Sequence, residues 1–298
     1  MAAVWILWGS VYLAIRLVVD EVDPFQAMAQ RYVVAGALLA AIAVVRRGRS
    51  ALRVTRAELG GLLVTGILLL GFGNGFQALA QVQGLPSGVA ALIVATVPAW
   101  AVVIRLVVGD RPPKATLIGV AIGFLGLAAL VGLGQRTGEA LPLLGAAFCL
   151  AASISWTVGS FLQGRLRVPE DIVAVAAYQQ LVAAGTSTTL AIATREQFGT
   201  DFSPRGWMAM AWLVLACSVA AYLAFAWLLS NVSLSLTATH AYVNPVVAVL
   251  LGAVVLSEQV GVGVLVGGGA VVGAVVLIIG SERRTAATRQ IPENVAPG

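Results

Sequence analysis

GLPSGVAALIVATVPAWAVVI, from Gly84 to Ile104, aligns without gaps on NVSLSLTATHAYVNPVVAVLL, from Asn231 to Leu251, so that Pro98 meets Pro245. Allowing one inserted residue at the next turn, Asp110 falls opposite Glu258. The stretch GVAIGFLGLAALVG after the first copy is then matched in kind by GGGAVVGAVVLIIG after the second. Self-similarity on this scale means that the second half of the chain repeats the first.

Both copies sit among apolar runs. A membrane-crossing helix needs about 20 mostly apolar residues, with roughly 17 to 25 tolerated. Ten runs qualify, at 2–19, 24–45, 58–80, 86–108, 115–133, 141–163, 172–194, 207–229, 235–256 and 260–280. Five helices per repeat is an odd number, so the second copy enters the bilayer from the opposite side. The expected fold is an all-α membrane protein of ten transmembrane helices in two inverted five-helix repeats. The first repeat covers 1–133 and the second 141–280, followed by a polar, disordered cytoplasmic tail at 281–298. Inverted repeats place a substrate path between the halves near the midplane, where rocking exposes it to each side in turn.

Composition supports this. The chain of 298 residues is 59% hydrophobic and 10% charged, whereas a soluble domain is roughly a quarter charged. The net charge of +5 does not point to nucleic acid, because the basic residues fall in short loops between apolar runs. Thirteen of the eighteen lie in alternate loops on one face: Arg46 to Arg56, Arg105 to Lys114, Arg165 and Arg167, and Arg283 to Arg289. Four, Arg16, Arg136, Arg195 and Arg205, lie on the other. The positive-inside rule puts the heavy face, and both termini, in the cytoplasm. The first run has no basic region before it and no cleavage site ahead of Asp20, Glu21 and Asp23, so it reads as a retained helix.

Several segments resemble the EamA-type drug/metabolite transporter superfamily: WGSVYLAIR from Trp8, QRYVVAG from Gln30, GNGFQALAQVQGLPSGVAALIVATVPAW from Gly73, and HAYVNPVVAVLLGAVVLSEQ from His240. The likeness extends to about Gly280. It implies a multi-pass protein of the bacterial inner membrane, with a central cavity lined mainly by the first four helices of each half and the fifth helix of each packed at the periphery. Members are similar to exporters of amino acids, aromatic ones included, and of other metabolites and drugs.

Polar groups within apolar helices must face a cavity or a partner helix, since lipid cannot satisfy them. Asn74, Gln77 and Gln81 recur at helical spacing on one face. They either line a cavity or bond between helices, and three amides on one stripe favour lining. Trp8, Tyr12, Trp100, Trp156 and Tyr178 can form an aromatic wall for a flat or amphipathic substrate, or act as anchors and packing groups. The resemblance favours Trp8, Trp100 and Trp156. His240 and Asn244 share a face, with Tyr242 nearby. Pro98 and Pro245 each remove a backbone donor, at equivalent places in the halves, and are candidate hinges. Arg31 is the only charge well inside a run. It either holds a substrate carboxylate or serves structurally, pairing with an outer-loop acid or reaching the outer face; the structural role is expected.

None of the thirteen acidic residues falls at mid-membrane. Outside are Asp20, Glu21, Asp23, Glu139, Glu196, Asp201 and, at an outer turn, Glu258. Inside are Glu58, Asp110, Glu170, Asp171, Glu282 and Glu293. Only His240 remains as an intramembrane proton carrier near neutral pH. The expectation is therefore a metabolite exporter, most readily of aromatic or hydrophobic amino acids, working by facilitated or exchange transport. A proton-coupled multidrug exporter relying on His240 is the alternative. An enzyme would need a metal or acid cluster, and the sequence offers none. No cofactor or metal is expected. The partners are a small-molecule substrate and the lipid bilayer, and the protein is expected as a monomer or weak dimer.

Overall fold

The computed structural model describes residues 2–109, 112–136, 142–224 and 240–289, and its regular elements among these residues are all helical. In chain order they are α1 (Ala2–Gly9), α2 (Val11–Val19), α3 (Pro24–Arg47), α4 (Arg56–Gly66), α5 (Gly73–Val82), α6 (Ser87–Val94) and α7 (Val97–Val107). Next come α8 (Lys114–Arg136), α9 (Leu143–Gln163), α10 (Ile172–Ala193), α11 (Pro204–Ala211), α12 (His240–Leu256) and α13 (Val262–Arg289). A π-helical turn, Ile67–Phe72, joins α4 to α5, and a second, Trp212–Ala220, follows α11.

Among the described residues, six helical spans are long and apolar enough to cross a membrane: Pro24–Arg47, Arg56–Val82, Ser87–Val107, Leu143–Gln163, Pro204–Ala224 and Val262–Ser281. Val4–Val19, Lys114–Ala129 and Asn244–Leu256 are shorter apolar helices. The α10 helix is long, at 22 residues, but more polar, carrying Gln179, Gln180 and the run from Thr186 to Thr189. Its position explains the tolerance: Val173 to Ala177, Gln179, Gln180, Ala183, Ala184 and Ser187 are all buried against other helices. At the C-terminal end, α13 continues to Arg289, so the first nine residues assigned to a disordered tail are helical.

Helix starts leave backbone N–H groups without intrahelical partners, and carboxylates meet that need here, several from distant segments. Glu196 accepts from the N–H groups of Phe25 and Gln26 at 3.3 and 2.8 Å. Glu258 accepts from the Ser87 N–H at 2.8 Å and the Ser87 hydroxyl at 2.9 Å. Glu21 accepts from the Ser203 N–H and hydroxyl at 2.7 and 2.6 Å. Three connecting segments are thereby tied to helices they do not adjoin in sequence. At the other face, Thr55 and Glu58 form a reciprocal capping box at the start of α4.

The packing partners follow a pattern. The α3 helix lies along α10, α8 along α13, and α6 against α12. The α5 helix packs on α9, while α2 packs on α11; the Ile67–Phe72 turn meets α10, while the Trp212–Ala220 turn meets α3. Small residues permit the closest approaches. A Cβ added at Gly126 of α8 would stand 2.8 Å from the Ala270 Cβ and 3.0 Å from the Gly267 carbonyl of α13. One added at Gly9 would lie 2.6 Å from the Val247 Cβ of α12. Outward faces are apolar, as lipid requires: Val254 is 81% exposed, and Ile118, Leu125 and Leu265 also face outward.

Candidate functional site

The π-helical turn at Ile67–Phe72 leaves its carbonyls splayed, and the Leu68 carbonyl accepts from both the Gly73 N–H and the Ser155 hydroxyl, the latter at 2.8 Å. Immediately after it, Asn74 and Gln77 of α5 face a cavity of about 370 Å³. Helices from both halves of the chain enclose this space. Trp8, Val11 and Tyr12 line one wall, Arg31 and Leu70 another, and Trp156, Cys217, Tyr222, Asn244 and Pro245 come from the second half. Ala91, Val94, Ala95, Val97 and Pro98 border it where α6 gives way to α7.

Two prolines of the expected hinge pair thus meet the same cavity, but their settings differ. The helix is interrupted at Ala95 and Thr96, and Pro98 sits in the first turn of α7, where its missing N–H costs no helical bond. Pro245 lies inside α12, which runs on without an interruption.

Three other expected lining residues are placed elsewhere. Gln81 is fully buried, and its Nε2 donates to the Tyr12 carbonyl at 3.0 Å. Its backbone carbonyl accepts from Arg16 Nη1 at 2.6 Å, so Gln81 joins helix ends through side chain and backbone and is not among the residues lining the cavity. Trp100 stands edge-on to Phe124 of α8, with ring centroids 5.0 Å apart. The break at Thr96 resets the helical phase, which turns this indole toward the peripheral pair. Tyr178 donates its hydroxyl to the Leu52 carbonyl at 2.6 Å; one residue on a helix is about 100° of rotation, and the adjoining Gln179 and Gln180 take the inward face. His240 and Tyr242 belong to α12 by backbone, but their side chains lie outside the described residues. Asp110, Glu139 and Glu293 also lie outside them.

Arg31 does not reach the outer face, and no acid among the described residues pairs with it. It is 4% exposed, its Nε donates to Ser218 Oγ at 2.8 Å, and the guanidinium carbon lies 5.0 Å from the centroid of the Tyr32 ring. The sequence-based expectation of a snorkelling or acid-paired arginine is corrected by this geometry: the inward rotamer finds a neutral hydroxyl on the π-helical turn. Arg16 pairs with Asp20 at 3.1 Å at its helix end.

In chemical terms the cavity combines indole and phenol faces, small apolar side chains, three amides, and one cation. The Gln77 Nε2, in a side chain only 5% exposed, has no hydrogen-bond partner. Among the described residues no group of three His, Cys, Asp or Glu is placed to hold a metal ion. A second depression of about 380 Å³ lies at the 19–24 turn and is lined by Asp20, Glu21, Asp23 and Asp201. Three of these carboxylates are engaged, Asp20 with Arg16, Glu21 with Ser203 and Asp23 with the Gln197 N–H.

The EamA-like transporter family profile matches residues 1–132 and 143–280. The chain belongs to this family. It is 37% identical over 251 residues to the protein described as the uncharacterized inner membrane transporter YedA of Escherichia coli K12, covering 84% of this chain and 79% of that one. An uncharacterized transporter of Archaeoglobus fulgidus is 24% identical over 265 residues, covering 87% and 89%. A solved structure, titled only as the crystal structure of a protein, shares the fold with a TM-score of 0.65 at 24% identity, covering 95% of this chain and 96% of that one. This protein is thus a membrane transporter of the EamA-like family, and its all-helical architecture fits that assignment.

The transporter also contains a buried polar network that reading its sequence missed. Gln179 Nε2 donates to Thr65 Oγ1 at 3.0 Å and to Gln163 Oε1 at 3.1 Å, and its Oε1 accepts from the cavity-lining Tyr222 hydroxyl at 2.7 Å. Gln180 Nε2 donates to the Ser218 carbonyl at 2.9 Å. The adjacent pair Gln179 and Gln180 in an apolar run was the available signal, since an amide buried in a membrane helix requires partners. The two π-helical turns left no comparable mark in the sequence.

Proposed function

We propose that this transporter exports small metabolites, with aromatic or hydrophobic amino acids as the favoured class, by alternating access of the central cavity. The observation that carries the reading is the cavity itself, whose lining draws on both halves and sets Trp8 and Trp156 alongside Asn74 and Gln77. The underlying architecture is ten transmembrane helices in two inverted five-helix repeats. Its support is the packing pattern, which is unchanged when each element is exchanged for its counterpart: α3 with α10, α8 with α13, α6 with α12, and α4 on α9 mirrored by α11 on α2. The interval that carries Pro98 onto Pro245 also carries the Ile67–Phe72 turn into Trp212–Ala220, so both π-helical turns fall at matching positions. Such turns recur at functional sites. The inner membrane is the location, as for the Escherichia coli relative, with both termini cytoplasmic.

Transport is facilitated or by exchange. The support is that the acidic residues named in the helix-start contacts, Glu21, Glu58, Glu196 and Glu258, are occupied at the ends of helices. Purified protein in liposomes, with no imposed pH gradient, should equilibrate labelled phenylalanine or tryptophan in preference to cationic dyes. Uptake of dyes alone, and only under a proton gradient, would establish the multidrug reading instead.

A further inference from the structure

We infer that Arg31 is the anion-recognition residue of the cavity, and that the substrate presents a carboxylate there while its apolar body lies against the indoles. The inference rests on the transport reading of this cavity and names the charge its substrate must carry. The Arg31 guanidinium has five N–H donors and no acceptor. Its recorded acceptors are both neutral: Ser218 Oγ at 2.8 Å and the Met28 thioether at 3.8 Å. The recorded ion pairs among the described residues, Arg16 with Asp20 and Arg47 with Asp171, sit at helix ends and leave Arg31 without a counter-ion. A guanidinium that is 4% exposed and uncompensated is costly within a membrane protein, and such charges mark substrate paths.

The second observation is independent of charge. Gln77, on a different helix, lines the same cavity with an Nε2 that has no acceptor. One of these two cavity-lining groups is a cation without a counter-ion among the described residues and the other an amide donor without an acceptor, and a single anionic oxygen acceptor group would answer both. Ser218 fixes the guanidinium through Nε, and Nη1 makes only a 3.8 Å contact with the Met28 thioether, a weak acceptor that a planar carboxylate would displace. The Tyr32 ring beneath it supplies the aromatic face that a guanidinium favours. Trp8 and Trp156 border the same volume and suit an apolar or aromatic body. A cationic substrate would meet repulsion from the same guanidinium with no carboxylate to offset it.

The test compares 3-phenylpropionate with its neutral amide, 3-phenylpropionamide, by quenching of intrinsic tryptophan fluorescence in the purified, detergent-solubilised transporter. The wild type should bind the carboxylate at least tenfold more tightly than the amide. Arg31→Met should reduce that ratio to below twofold, and Arg31→Lys, which keeps the charge but not the planar fork, should retain part of it. Equal binding of acid and amide by the wild type overturns the inference without reference to any variant, as does a discrimination that survives in folded Arg31→Met. If phenylalanine is transported while discrimination is absent, the anion assignment alone fails. If carboxylates bind through Arg31 but no amino acid is moved, the substrate reading fails and this assignment stands.

Discussion

Replacing Gln77 by leucine should stabilise the transporter, and the same substitution at Gln179 should destabilise it. Both are buried glutamines, 5% and 0% exposed, but their amides stand in opposite conditions. Gln77 Nε2 has no partner, and a buried donor left unsatisfied costs about 1–3 kcal/mol. Leucine, of similar volume, removes that donor, and taking the lower end gives a gain of about 1 kcal/mol. Gln179 makes three side-chain hydrogen bonds, to Thr65, Gln163 and Tyr222. Inter-helical bonds of this kind average about 0.6 kcal/mol, so their joint loss is worth about 2 kcal/mol. At about 2 °C per kcal/mol for a chain of this size, the two variants should differ by roughly 6 °C in midpoint, with the wild type between them. Thermal unfolding in one detergent, followed by tryptophan fluorescence, reads the difference. Transport separates them further. If the proposed site is right, Gln77→Leu should raise the half-saturating concentration about tenfold, which is 1.4 kcal/mol, in a protein that is more stable. A Gln77→Leu midpoint as low as that of Gln179→Leu would refute the reasoning, because it would mean that the Gln77 amide is already satisfied. A raised midpoint with unchanged transport would refute its place in the substrate path.

At the peripheral pair, Gly126→Leu should lower the thermal midpoint, since its Cβ would meet Ala270 and the Gly267 carbonyl at 2.8 and 3.0 Å; overpacking of this kind costs typically about 1–3 kcal/mol. Gly123→Ala, whose Cβ would lie 3.4 Å from that of Ala274, should leave the midpoint unchanged, and equal effects at the two positions would contradict the observed helix contact. The Glu196 carboxyl is raised above its ordinary value, first by desolvation and further by Asp23, against the lowering effect of the Gln26 and Phe25 N–H groups. Because the folded value is the higher one, its contribution to stability is full below the unfolded value and is lost as pH rises through the folded value. Glu196→Gln should therefore flatten the decline in thermal midpoint from the ordinary carboxylate range upward. An unaltered pH profile would show that Glu196 does not titrate in that window.

What could be read in the sequence divides along a physical line. Hydropathy places helices because apolar length is a one-dimensional property. The expected spans at 24–45, 58–80, 86–108 and 141–163 correspond to Pro24–Arg47, Arg56–Val82, Ser87–Val107 and Leu143–Gln163. Which side of a helix faces inward is a matter of phase, and phase is lost wherever the helix is not regular. Asn74 and Gln77 were legible as one stripe because α5 is regular across them. Trp100 was not, because the interruption at Ala95 and Thr96 intervenes between it and the cavity-lining part of α6. Gln81 lies on the stripe of Asn74 and Gln77 but one turn nearer the helix end, where Tyr12 and Arg16 engage it.

Arg31 shows the limit most clearly and also suggests how the parts combine. From the sequence, its depth in the helix was known, but the direction of a long side chain depends on what waits at either end. Here the inward partner is Ser218, 187 residues away. That hydroxyl lies on the Trp212–Ala220 π-helical turn, and its matching turn at Ile67–Phe72 leads directly into Asn74 and Gln77. One irregular turn thus holds the cavity's cation through Ser218, and the other precedes the helix that carries two of its amides. A regular helix at either place would bring its side chains to the cavity at a different angle, since each π turn adds a residue to the helical register. If the halves rock, these two turns are where the register of each wall can change without breaking a helix. The proposed donors, Arg31 on α3 and Gln77 on α5, would then each adjoin one of these turns, Arg31 through Ser218 and Gln77 along the chain.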